Sequence, residues 1–102
     1  MSSKPHTIDN LAAGVQKLYG CDAVWIQTHL AHKDWYGDFA TNGVVQVYEL
    51  ADHNRAKRCY VWNYEQHGQW YYTTLLEIPP VSDAESAVRA GVNRRRKGIT
   101  HG

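Results

Sequence analysis

From Thr7 onward, apolar residues fall at Ile8, Leu11, Ala12, Val15, Leu18 and Tyr19, the spacing of one face of a helix. Thr7 or Asp9 suits its start, and Gly20 supplies the left-handed residue that ends many helices. After Cys21 the period changes to two. Val24, Ile26, Thr28 and Leu30 point one way and Trp25, Gln27, His29 and Ala31 the other, which predicts a strand. Residues 33–43 read as a loop or a ragged edge strand. Further strands are predicted at Val44–Leu50, 57–65 and 69–78, the last stopped by Pro79 and Pro80. Short polar connections between consecutive strands favour an antiparallel meander. Ser82 followed three residues later by Glu85 fits a capping box. From within it onward, Ala84, Ala87, Val88, Gly91 and Val92 form a second helical stripe, with Gly98 as its end.

The pattern therefore predicts an α+β fold in two layers: an N-terminal helix, an antiparallel meander of about four strands, and a C-terminal helix. Both helices are expected on one face of the sheet. At 102 residues the chain is read as one domain over 1–102, with fraying expected at 1–6 and 98–102.

Six of the twelve aromatic side chains crowd between Tyr60 and Tyr72, around a polar turn at 65–69. The length of that turn decides which of them share a face. A three-residue loop, Gln66-His67-Gly68, sets Tyr60, Trp62, Tyr64, Trp70 and Tyr72 on one plate, which Tyr48 extends. A two-residue loop, His67-Gly68, moves Trp70 and Tyr72 behind the others. Glycine at the last loop position favours the three-residue form. A plate of that size on an otherwise uncovered face calls for a partner.

Charge adds one detail. Three lysines face five acidic residues up to position 50, but from 82 onward five cations face two acids. The basic run Arg94, Arg95, Arg96 and Lys97 is suited to the negative end of the last helix, and together with Arg89 it is also a candidate for phosphate contacts. Candidate chemistry is sparse. Cys21 and Cys59 are too isolated for a zinc motif and are expected to be reduced and inert. His29 and His32 diverge on a strand, so no metal site is expected. No phosphate-cradling glycine loop is present, and no cofactor is implied. The start lacks the apolar core of a secretion signal and no run reaches the ~20 apolar residues of a membrane span, so a cytoplasmic protein without a membrane partner is expected. The element order is loosely similar to that of the double-stranded-RNA-binding domain. An extra strand and an acidic start to the last helix depart from it, and no family is recognised.

The leading expectation is a non-catalytic binding or interaction module that uses the aromatic face, as a homodimer. The alternative is a small-molecule binder or small enzyme whose pocket is between the 33–43 loop and the aromatic sheet, lined by Trp35, Tyr36 and Asp38. A third reading, weak single-stranded nucleic-acid binding, rests on the basic helix end.

Overall fold

A computed structural model describes residues 4–32 and 43–100, with side chains described as far as Asn93. The order is α1 (Ile8–Tyr19), β1 (Ala23–Leu30), β2 (Val44–Leu50), β3 (Arg58–Gln66), β4 (Gln69–Leu76) and α2 (Ala84–Thr100). The four strands form one antiparallel meander in sequence order, so β1 and β4 are its edges.

Local chemistry accounts for the ends of α1. The Thr7 hydroxyl accepts from the Asn10 N–H at 3.1 Å, and Gly20, at φ 69°, donates its N–H to the Gln16 carbonyl at 2.8 Å. The start of α2 lies one residue later than the capping box read from Ser82. Asp83 accepts from the Ser86 N–H at 2.8 Å, and the Ser86 hydroxyl accepts in return from the Asp83 N–H at 3.1 Å. Hydrogen bonding to Ser86, led by its main-chain N–H, holds the Asp83 carboxyl below its ordinary range. Glu85 is thus left free to pair with Arg89 at 3.0 Å, one turn on. The helix also continues through Gly98 to Thr100.

The helices do not share a face. Each packs on its own side of the sheet. Ala84, Ala87, Val88 and Val92 of α2 bury Val45, Val47, Tyr60, Trp62 and Leu75. Leu11 and Val15 of α1 bury Ala23, Tyr48, Leu50, Cys59 and Val61, the residues of opposite parity. Both strand faces carry apolar side chains at the centre of the sheet, and covering each of them is what removes that surface from water.

Glycines allow the closest approaches. Trp62 lies so near Gly91 of α2 that a β-carbon there would meet its ring at 2.6 Å, and Gly14 of α1 leaves the same kind of room for the Tyr72 hydroxyl. The segment before α1 is also tied to the sheet. Asn63, buried in the middle of β3, accepts from the His6 N–H at 2.8 Å and donates to the His6 carbonyl at 3.0 Å. His6 then stands edge-on to Tyr72. A side-chain amide here does the work of a strand partner.

Candidate functional site

The β3–β4 hairpin takes the two-residue loop. Gln66 pairs with Gln69, and His67 and Gly68 turn the chain at φ 54° and 77°. Two positive φ values are the signature of a type I′ turn, whose twist matches that of the strands it joins. Histidine is among the residues that tolerate this region, so His67 pays little for it. The consequence is that the single aromatic plate does not form. Tyr60, Trp62 and Tyr64 share a face with Tyr71, whereas Trp70 and Tyr72 share the other with Tyr48.

Burial then separates the six residues further. Tyr48, Tyr60 and Trp62 are 0%, 4% and 3% exposed, and they belong to the two cores. The Tyr48 hydroxyl donates to the Ile8 carbonyl at 2.7 Å; the Tyr60 hydroxyl donates to the Glu77 carboxylate. Tyr72 is half-buried against α1, and Trp70 is half-buried. At the surface end of the hairpin Tyr64 stacks on the exposed Tyr71, with ring centroids 5.6 Å apart. Half of the expected interface is thus interior.

The exposed apolar surface lies elsewhere. Six large hydrophobic residues are exposed among those described, and four of them, Val24, Trp25, Ile26 and Leu30, belong to β1. A bulge at Ile26 shifts the register between Trp25 and Gln27, so Trp25 and Thr28 come to the same face. There both donate to one acceptor, the Oε1 of Gln46, at 2.7 and 2.6 Å. The Trp25 ring is therefore held at its N–H while 43% of the residue remains exposed. Sequence reasoning passed over β1 because its alternation placed Val24, Ile26 and Leu30 together on one side, the pattern of a strand whose apolar face a helix covers. The available signal was its place as first strand of a meander, necessarily an edge, together with a run of eight residues without a charge.

The other candidates are dispersed. Trp35, Tyr36 and Asp38 lie outside the described residues, as do the side chains of Arg94, Arg95, Arg96 and Lys97. Arg89 is engaged by Glu85. His29 pairs across from Val45 within β1, and His32 follows the strand. Among the described residues no three of His, Cys, Asp and Glu gather as a metal site would require, and no helix is long and apolar enough to cross a membrane.

Both cysteines are free thiols. Cys59 is fully buried, and that burial raises its thiol from 9.0 to about 12 although a hydrogen bond from Thr74 favours the thiolate. Burial also raises the Tyr48 and Tyr60 hydroxyls, the latter with the help of Glu77. Above about pH 9 the unfolded chain gives up protons that the native chain retains, so stability falls as pH rises. The urea midpoint is expected to be lower at about pH 10.5 than at about pH 8, with a shallower fall in Cys59→Ala. Equal midpoints at the two pH values would contradict this account.

Comparison of the chain with family models, with curated proteins and with solved structures finds no match.

Proposed function

We propose that this protein is a non-catalytic interaction module that self-associates through the β1 edge. One observation carries the reading: the exposed large hydrophobic residues concentrate on a single edge strand, Val24, Trp25, Ile26 and Leu30. Natural edges are blunted by charge or proline, and β1 contains neither between Ala23 and Leu30. Trp25 has the character of an interface anchor, being large, aromatic and positioned by the Gln46 acceptor before a partner arrives.

A second copy is the occupant that matches such a strand. A two-fold axis through the middle of β1 sets Ala23 of one copy across from Leu30 of the other, apolar against apolar, with no like charges opposed. The bulge at Ile26 limits main-chain pairing there, so side-chain packing supplies most of the contact.

Light scattering after size exclusion tests the proposal. The wild-type protein is expected to approach twice the 11.6 kDa chain mass as concentration rises. Leu30 and Val24 are 73% and 60% exposed, so Leu30→Lys and Val24→Lys leave the core untouched and should give a folded monomer. A wild-type monomer at every concentration, or a dimer that both lysines leave intact, would overturn it.

A further inference from the structure

Two clefts meet at Arg55, on the side of the sheet away from β1. The larger, about 420 Å³, runs along the edge of β4 past Thr74, Leu75 and Leu76. Tyr19 of α1 also lines it, as do Ile78, Pro80 and Val81 of the connection after β4 and Ala90 of α2. Its volume is within the range of small-molecule sites, which are mostly apolar with a few convergent polar groups. The second, about 360 Å³, is polar and is lined by His53, Asn54, Arg55, Ala56, Lys57 and Glu77.

The polar groups at the junction are mainly donors. The His53 Nδ1 accepts the N–H groups of Arg55 at 3.0 Å and Ala56 at 3.1 Å, which leaves its ring proton on Nε2. The same ring stands edge-on to Tyr19, linking the wall of the apolar cleft to the polar one. Arg55 and Lys57 bring two cations. Glu77, the one carboxylate among the described lining residues, is engaged by the Tyr60 hydroxyl.

Backbone donors add to these. Glu77 donates its N–H to the Arg58 carbonyl, which makes Arg58/Glu77 and then Tyr60/Leu75 the bonded positions of the β3–β4 ladder. Thr74 and Leu76 occupy the intervening positions, so their N–H groups point away from β3, toward the open edge along which the cleft runs.

From this arrangement we infer a binding site for a small amphiphilic carboxylate, its apolar body lying along Leu76, Ile78, Pro80 and Ala90 and its carboxylate at Arg55. The apolar wall selects the body and the surplus of positive donors selects the charge; a cationic ligand of the same shape would meet Arg55 and Lys57 as like charges. This site is separate from the β1 edge and does not depend on it.

Titration of the ¹⁵N-labelled protein with octanoate tests the inference, with octanamide as the neutral counterpart. Octanoate is expected to shift the amide signals of Arg55, Thr74, Leu76 and Ala90 and to bind at least about tenfold more tightly than octanamide. Arg55→Gln, at an exposed side chain, should remove that preference, while Arg55→Lys should keep part of it. Ala90→Trp, which fills the cleft from α2, should weaken both ligands. Equal affinities for the two ligands, shifts confined to other residues, or a preference that survives Arg55→Gln would overturn the assignment. So would the absence of any shift up to millimolar octanoate.

Discussion

Trp62→Ala is expected to lower stability by about 3–5 kcal/mol, the range for removing a large aromatic side chain from a core. A domain of this size has roughly 5–15 kcal/mol to lose, so the variant should melt more than about 10 °C lower or fail to hold its fold. The reason is its place in the fold. Trp62 is 3% exposed, and its ring packs against Gly91 of α2 in the cluster that also holds Leu75. Truncation would leave a void under a helix that has only small residues there, with no long side chain to fill it. Trp25→Ala provides the contrast. Trp25 is exposed on β1, and its loss still leaves Gln46 with the Thr28 donor, so the cost should stay below about 1 kcal/mol. Thermal melts of the two variants check the ranking. Equal losses would mean that Trp62 is not the core residue described.

Gly91→Val should be nearly as damaging for the opposite reason. A β-carbon at this position would stand 2.6 and 2.7 Å from two carbons of the Trp62 ring, closer than side chains approach. The ring is enclosed by β-strand and helix and has nowhere to retreat, so overpacking should cost about 2–3 kcal/mol. Valine's better helix propensity offsets only a few tenths of that, roughly. Gly14→Ala makes the useful comparison. Its closest contact is the hydroxyl end of Tyr72, a half-buried side chain that can swing outward, and the helix gains from losing a glycine. Gly14→Ala should therefore lie near zero. Combining Gly91→Ala with Trp62→Phe should cost less than the sum of the two, since the smaller ring makes room for the methyl group. Urea titrations of the single and double variants measure this coupling; strict additivity would show that the two residues do not meet.

Much of the architecture was legible from local signals. Thr7 and Gly20 bracket α1, the apolar period changes at Cys21, and the proline pair follows the last strand. These features act over a few residues, and the sequence displays them directly. The register of the β3–β4 hairpin was not legible in the same way. Both loop lengths fit the same letters, and the choice turned on His67 accepting a positive φ. The arrangement of the helices had a signal that went unused. Val45 and Val47 alternate with Tyr48 and Leu50 along β2, and Tyr60 and Trp62 alternate with Cys59 and Val61 along β3. Strands apolar on both sides indicate a sheet covered on both. The bulge at Ile26 has no counterpart in composition, and with it went the correct neighbours of Trp25. The hairpin register and the bulge together explain why the aromatic hairpin drew attention while the uncharged edge did not.

The Asn63 amide also bears on the order in which the native state comes apart. Because its two bonds grip the main chain just ahead of the first helix, that helix is fastened at its leading end to a central strand as well as by its apolar stripe. Peeling it away would strand a buried amide without partners, a penalty that discourages partial opening. Fraying from the amino end is thereby coupled to disruption of the sheet, and the helix and the sheet centre become one cooperative unit.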